Sequence, residues 1–240
     1  MLTKWRRFAL EQTLTIYHGS QLIIKKPVFS EGNPHNDYGL GFYCTHENDL
    51  AKEWACTEES SGYSNQYKMD MTELSVMHLS GGDYNILNWL AVLLDNRTFR
   101  ISNDIAAEGK SYLLTKFLPD TGVHDVIIGY RANDSYFSFA NAFLNNTLSL
   151  MQLEKAMYLG KLGEQIVLKS RKSFEQLQFI RFESADHEIY YPMKSARDRE
   201  ARNTYRKERG RERASDAVYL MDILRGEWEN DDARIRRNIP

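Results

Sequence analysis

The order in which strand patterns and helix patterns follow one another constrains the fold of this chain more than any other feature. Period-two alternation over 13–17 and over 67–79 is typical of strands, and the apolar run within 123–130 is typical of a buried strand. Residues 85–94, 103–117 and 149–159 are predicted to be helices. The alternation lacks a regular β-α-β rhythm, and no Gly-x-Gly-x-x-Gly turn follows a strand. The sequence therefore predicts an α+β domain rather than a doubly wound parallel sheet.

Composition excludes several classes of protein. Of the 240 residues, 42% are hydrophobic and 27% are charged, which excludes disorder throughout, and the net charge of −2 does not indicate a polyanion-binding protein. The longest apolar run, 89–94, is far shorter than the roughly 20 residues that span a bilayer, so no membrane contact is expected. Residues 1–10 are basic but lack the apolar core of a signal peptide, so cytoplasmic residence is the expectation.

The cysteine pattern gives no sign of cross-linking or of metal binding. Cys44 and Cys56 are the only cysteines, and two cannot cross-link a chain of this length effectively. No Cys/His cluster has the spacing of metal ligands, so no metal is expected. Both thiols are predicted to be small buried hydrophobic groups.

The C-terminal part of the chain differs from the rest in composition. Residues 194–213 contain nine basic and four acidic residues and almost no aliphatic ones, so they cannot form a core by themselves. The interspersed acids favour a solvated helix or a protein-docking arm over a nucleic-acid-binding arm. Residues 218–224 predict a short amphipathic helix that docks on the body or on a partner. We therefore expect one domain over 1–193 and a charged helical extension over 194–240.

Three short segments contain the candidate chemistry. His18 ends the first predicted strand, two glycines precede Tyr43, and Glu164 and Gln165 open a late strand. Each has an ordinary explanation when taken alone: a structural histidine, a ring that closes a core, and a surface carboxylate. Only their combination and their order along the chain are unusual.

In this order the three segments resemble the signature of the ADP-ribosyltransferases, in the His-Tyr-Glu branch that includes diphtheria toxin and the poly(ADP-ribose) polymerases. They read Tyr-His-Gly-Ser over 17–20, Tyr-Gly-Leu-Gly-Phe-Tyr over 38–43 and Glu-Gln-Ile-Val over 164–167. Trp54 is similar in position to a second aromatic residue of that family. The resemblance implies a split mixed β-sheet with peripheral helices around a cleft for NAD.

A closer resemblance is to a bacterial family of small toxin-like ADP-ribosyltransferases, which are often encoded beside a short antitoxin-like partner. It is carried by residues 17–55, 128–137 and 165–170. The resemblance implies transfer of ADP-ribose from NAD to a protein or nucleic acid, and it suggests a small antitoxin protein as a partner. An NAD glycohydrolase and a non-catalytic domain that binds NAD or a partner are the alternatives.

The resemblance also implies a role for each motif residue. Gly19 would bind the nicotinamide amide through its backbone, since no Cβ blocks close approach, and His18 would hydrogen-bond a ribose hydroxyl. Tyr43 and Trp54 would enclose the nicotinamide ring between flat faces. Ser20 either caps its own turn or reaches a ribose hydroxyl.

Glu164 and Gln165 are alternative acceptors for the ribose, because adjacent residues of a strand face opposite sides. Comparison with the polymerase strand assigns the catalytic position to Glu164, whereas the toxin-like family assigns it to Gln165. The acceptor stabilises the positive charge that develops on the ribose as the glycosidic bond breaks. A glutamine would be a neutral acceptor there and would stabilise that charge less.

Two further residues are candidates for contacting the dinucleotide. Arg131 follows a predicted buried strand, where its guanidinium would either clamp the pyrophosphate or pair with Asp134. Asp37 lies shortly before Tyr43, where it would either order its own loop or contact NAD.

Overall fold

The computed structural model describes residues 12–81, 84–132, 134–157, 163–209 and 217–238. The strands in these ranges are β1 (Thr13–Ser20), β2 (Phe42–Cys44), β3 (Gly62–Asp70), β4 (Val76–His78), β5 (Val126–Tyr130), β6 (Glu164–Leu168) and β7 (Leu177–Ala185). The helices are α1 (Asn48–Ala55), α2 (Ile86–Asn96), α3 (Asp104–Lys116), α4 (Asp134–Leu144), α5 (Leu150–Met157), α6 (Arg171–Glu175), α7 (His187–Arg209), α8 (Leu220–Arg225) and α9 (Ala233–Asn238). The predicted α+β class is confirmed.

The strands form two sheets that meet near the ends of β1 and β2. The first sheet is antiparallel, with the order β1-β3-β7. The second is mixed, with the order β2-β6-β5-β4, and its β4 and β5 are parallel. An isolated bridge joins the sheets, in which Tyr17 N donates to Thr45 O at 2.8 Å and Thr45 N donates to Tyr17 O at 2.9 Å. The bridge places the end of β1 beside β2.

The mixed sheet is apolar on both of its faces. One face joins the antiparallel sheet in a core that consists of Leu14, Ile16, Phe42, Cys44, Tyr67, Met69, Val126, Ile128, Ile166 and Leu168. On the other face, Ile127 and Val167 pack with helical residues such as Trp89 and Phe143. Burial on both faces explains why β5 and the last three residues of β6 are continuous apolar runs rather than alternating ones.

Local sequence signals locate several element boundaries. The side chains of Asn85 and Asn103 accept hydrogen bonds from backbone N–H groups in the first turns of α2 and α3, which begin directly after them. A single predicted strand over 67–79 is wrong, because β3 ends at Asp70 and β4 begins only at Val76. The Asp70 side chain accepts a hydrogen bond from Thr72 N at 2.8 Å, and this local turn competes with continued strand pairing.

The charged C-terminal segment packs against the rest of the molecule. Helix α7 is continuous across the expected boundary between 193 and 194, and its Ala201 is fully buried. The predicted short helix near the C-terminus is confirmed as α8, whose Leu220 and Ile223 are buried in the main helical core. The division into two domains stays a prediction.

Some sequence-based expectations concern residues that the structure does not describe. The basic segment 1–10, residues 158–159 of a predicted helix and residues 210–213 of the charged stretch lie outside the described residues. Within the described ranges, no helix is long and apolar enough to span a membrane. Cys44 and Cys56 are buried free thiols, as predicted.

Candidate functional site

A pocket of about 200 Å³ lies where the mixed sheet meets α1 and the end of α2. Its lining residues are Asn36, Asp37, Tyr43, Trp54, Arg97, Arg131, Ala132 and Gln165. Five of them are residues that the sequence predicted: Asp37, Tyr43, Trp54, Arg131 and Gln165. The pocket therefore joins parts of the chain that are far apart in sequence.

Strand pairing explains why Tyr43 and Gln165 reach the same pocket. Tyr43 of β2 lies opposite Val167 of β6, and paired residues of antiparallel strands point to the same side of the sheet. Gln165 precedes Val167 by two residues and therefore shares its face. Glu164 lies on the opposite face of β6, where it accepts a hydrogen bond from Ser80 Oγ. Gln165, and not Glu164, is the residue at the pocket.

Gln165 is held by a contact with Asp37. Its side-chain Nε2 donates to Asp37 Oδ2 at 3.3 Å, and the whole residue is only 5% exposed. The other amide atom, Gln165 Oε1, is buried and forms no hydrogen bond with any described residue. The pocket wall thus presents a carbonyl oxygen that is able to accept a hydrogen bond from a ligand.

Asp37 is the one carboxylate among the described residues that line the pocket, and it is 4% exposed. Its Oδ2 also accepts from Ala132 N at 2.9 Å, whereas its Oδ1 lies 3.4 Å from Arg97 Nη1. Burial raises the pKa of Asp37, and the hydrogen bond from Ala132 and the charges of Arg97 and Arg131 oppose that rise. Asp37 therefore does more than order its own loop, because it connects that loop to β6 and to the segment just after β5.

Arg131 and Trp54 form a stacked pair at the pocket. The guanidinium carbon of Arg131 lies 4.2 Å from the ring centroid of Trp54, within range of a cation–π interaction. Burial lowers the pKa of Arg131 to about 10, against the charges of Asp37 and Glu53, so the group remains a cation at neutral pH. The side chain of Asp134, the alternative partner, lies outside the described residues.

The Tyr43 hydroxyl forms hydrogen bonds with the backbone of the loop that precedes β2. It donates to Gly39 O at 2.5 Å and accepts from Tyr38 N at 3.1 Å. Gly39 has a positive φ of 72°, which a glycine adopts without the steric cost that other residues meet. With its hydroxyl engaged and its pKa raised by burial, Tyr43 offers a ligand its ring rather than an acidic proton.

His18 supports the pocket from the neighbouring strand instead of lining it. Its Nδ1 lies 2.7 Å from Tyr43 O, and since a carbonyl only accepts, Nδ1 carries the hydrogen. The ring stacks on Phe42 with centroids 4.2 Å apart. Burial lowers the pKa of His18 despite this hydrogen bond, so the neutral ring keeps Nε2 as an acceptor.

The structure gives Gly19 and Ser20 local roles. A Cβ on Gly19 would lie 2.0 Å from Ala51 O, so this glycine permits α1 to pack closely on β1. Ser20 Oγ accepts from Leu22 N at 3.1 Å, which is the turn-capping alternative. Neither residue is part of the pocket lining, and their proposed contacts with a dinucleotide stay predictions.

Sequence reasoning missed Asn36 and Arg97. Arg97 directly follows the apolar helix α2 and resembles any basic residue at a helix C-terminus. In the structure its guanidinium lies beside Asp37 and 4.5 Å from the ring centroid of Phe137. No local signal identifies it, because both contacts join residues distant in sequence.

The C-terminal helix α7 packs against helix α1, which carries Trp54. Arg197 donates to both oxygens of Glu53, at 2.8 Å from Nη2 and at 3.1 Å from Nε. Lys194 Nζ donates to Cys56 O at 3.1 Å, just after the end of α1. These contacts tie the charged C-terminal segment to the helix that forms one wall of the pocket.

Comparison with known proteins gives one family and no activity. A family profile described as "Protein of unknown function (DUF3990)" matches residues 14–179, more than half of the chain. No curated protein and no solved structure gives a significant match. The matched region includes every residue that lines the pocket, whereas α7 and the helices after it lie beyond that region.

Proposed function

This chain belongs to the DUF3990 family, and we propose that it is an NAD-dependent ADP-ribosyltransferase with an ADP-ribosyltransferase-like fold. One observation carries the proposal: Tyr43, Trp54 and Gln165 lie on three different elements and line one pocket. These are the positions at which the sequence resembles the ring-binding and acceptor residues of that superfamily. The bridge between two separate sheets further supports a split-sheet architecture.

The chemistry of the pocket suits the nicotinamide end of NAD. Two aromatic side chains, Tyr43 and Trp54, line the pocket and are able to provide contact area for a flat ring. Gln165 Oε1 accepts a ribose hydroxyl, and the cations of Arg97 and Arg131 attract the pyrophosphate. The volume of about 200 Å³ is below the roughly 300–1,000 Å³ of a typical ligand pocket. We therefore expect only the nicotinamide riboside end to enter.

In the proposed reaction, the bond between ribose C1′ and the nicotinamide nitrogen breaks, and its electron pair leaves with nicotinamide. The ribosyl group becomes positively charged until a nucleophile of the acceptor attacks C1′ with its own electron pair and then releases a proton to water. Groups that interact more strongly with this charged state than with bound NAD accelerate the reaction. The proposed acceptor is a protein or a nucleic acid, and a small antitoxin-like protein is a proposed partner.

The test is nicotinamide release from NAD by the purified full-length chain, followed by transfer of label from labelled NAD to macromolecules in a bacterial lysate. We expect label that either protease or nuclease removes, which identifies the acceptor class. Trp54→Ala should weaken NAD binding about tenfold, in line with the roughly 1–3 kcal/mol of a ring stacked on a base. Gln165→Ala should slow nicotinamide release.

Glu164→Gln is the matched control, since it changes the neighbouring residue on the opposite face of β6 and keeps an acceptor for Ser80. Its turnover should equal that of the wild type. Free ADP-ribose without labelled macromolecules would identify a glycohydrolase instead. NAD binding in calorimetry without nicotinamide release would identify a non-catalytic domain, and absence of both would refute the proposal.

A further inference from the structure

The pocket contains a carboxylate that the signature segments do not provide. We propose that Asp37 supplies the negative charge for ribosyl transfer and that Gln165 supplies the hydrogen-bond acceptor, so that two residues share the task of one catalytic glutamate. This inference rests on the proposed function and adds a catalytic residue to it. It is carried by the contact between the two side chains and by the oxygen that each leaves available.

The orientation of the Gln165 amide follows from its contact with Asp37. A carboxylate oxygen only accepts hydrogen bonds, so the amide nitrogen must face Asp37 Oδ2, as the 3.3 Å distance from Nε2 indicates. Reversing the amide would place two oxygens against each other. Gln165 Oε1 is therefore directed away from Asp37, and in the described part of the chain it has no hydrogen-bond donor.

The two oxygens of Asp37 have different surroundings. Oδ2 accepts from two N–H groups, those of Ala132 and Gln165. Oδ1 is buried and accepts no hydrogen bond from any described residue, although Arg97 Nη1 lies 3.4 Å away. A carboxylate with a purely structural role is normally satisfied at both oxygens, because an unbonded buried acceptor costs free energy. Oδ1 is thus available to a ligand in the pocket.

A charged acceptor matters more than a neutral one in the proposed reaction. The ribosyl group gains a full positive charge as nicotinamide leaves, and a buried anion stabilises that charge more strongly than an anion in solvent does. An amide oxygen offers only a partial charge. Asp37 is the pocket-lining carboxylate among the described residues, and it lies in contact with the acceptor that the strand provides.

Asp37→Asn tests this role with little change of shape. An asparagine oxygen still accepts from Ala132 N, so the loop connection is retained. We expect nicotinamide release to fall about 100-fold, the order of effect seen when one preorganised electrostatic group is removed. The dissociation constant for NAD, measured by calorimetry, should change less than about threefold, because the charge acts mainly in the transition state. Asp49→Asn, an exposed carboxylate on α1, is the matched control and should have wild-type turnover.

A second test places a negative charge on β6, at position 165, in the Asp37→Asn variant. In the double variant Asp37→Asn/Gln165→Glu, the negative charge stands on β6 at the same pocket. We expect nicotinamide release at least about tenfold faster than in Asp37→Asn alone. A residue that only holds the loop in place would not be rescued by a charge at another position.

The outcomes separate this inference from the proposed function. If the wild type releases nicotinamide and the turnover of Asp37→Asn lies within threefold of it, the role of Asp37 is overturned and the proposed transferase function stands. Loss of both NAD binding and turnover in Asp37→Asn, without rescue by Gln165→Glu, assigns Asp37 a structural role and also overturns the inference. A wild-type chain that releases no nicotinamide overturns the proposed function and this inference together.

Discussion

Two buried carboxylates differ in their surroundings: Glu53, on the helix that carries Trp54, and Asp37, in the pocket that Trp54 lines. Glu53 of α1 is 2% exposed, and both of its oxygens accept from the single guanidinium of Arg197. Asp37 is 4% exposed, but its two hydrogen-bond donors, the backbone N–H of Ala132 and the amide of Gln165, are neutral and converge on one oxygen. The nearest cation, Arg97, contacts its other oxygen at 3.4 Å.

The difference shows how burial serves two purposes in one molecule. A carboxylate with bidentate pairing connects α1 to α7 and has no oxygen left for a ligand. A carboxylate with one oxygen that forms no hydrogen bond within the described residues is costly for the folded state, and such sites are frequent where a ligand completes the bonding. We therefore propose that Glu53 contributes to stability and that Asp37 contributes to function.

The largest predicted effect on stability concerns the ion pair between Glu53 and Arg197. Arg197→Leu removes the partner of a buried charge, so the free energy of unfolding should fall by about 3–5 kcal/mol. Urea unfolding followed by circular dichroism measures the change. Arg199→Leu is the matched control, because Arg199 is exposed on the same helix, and it should lie within about 0.5 kcal/mol of the wild type. Equal stability of both variants would contradict the structural role of Glu53.

An intermediate effect is expected from the packing of α1 on β1. In Gly19→Ala, the new methyl group meets Ala51 O at 2.0 Å, so strand and helix must separate at a cost of about 1–3 kcal/mol. Gly81→Ala places its methyl where no other atom lies within 4 Å among the described residues, and its stability should be nearly unchanged. Thermal unfolding of the two variants checks the difference, and a Gly19→Ala variant as stable as Gly81→Ala would show that α1 packs less tightly than the structure indicates.

The smallest predicted effect is the contribution of Asp37 to the pH dependence of stability. Burial raises the folded-state pKa of Asp37 above its unfolded value, so the ionised group costs stability above the folded pKa, and this cost disappears as the pH falls through it. The stability of Asp37→Asn relative to the wild type should therefore be greatest at neutral pH and should decrease on acidification. Urea unfolding at a series of pH values measures it, with turnover followed over the same range. A relative stability that increases on acidification would contradict the pKa direction.

Sequence patterns predicted most of the elements but not all of their limits. Helices α2 and α3 were predictable because apolar periodicity and an asparagine cap agree at each start. The break between β3 and β4 was missed, since the side-chain turn at Asp70 interrupts an otherwise acceptable strand pattern. The short helix α8 was predictable as amphipathic, but its docking site on α3 depends on the space at Gly109, which the side chain of Leu220 occupies.

The candidate site was predictable only in part. Motif residues pointed to Tyr43, Trp54 and the pair at 164–165, since the order of short motifs along the chain is itself a sequence property. Arg97 was not predictable, because an arginine after a helix has many ordinary roles. The position of Asp37 against β6 depends on a contact between residues 128 positions apart in the chain.

The sequence by itself determined the α+β class, the alternation of strands and helices, and the identity of the motif residues. These depend on hydrophobic periodicity and on hydrogen bonds between neighbours, which act over a few residues. Only the tertiary structure decided that Gln165 rather than Glu164 lies at the pocket and that Asp37 lies beside it. Strand register and the docking of distant segments set those positions, and both are fixed by long-range packing that no local pattern encodes.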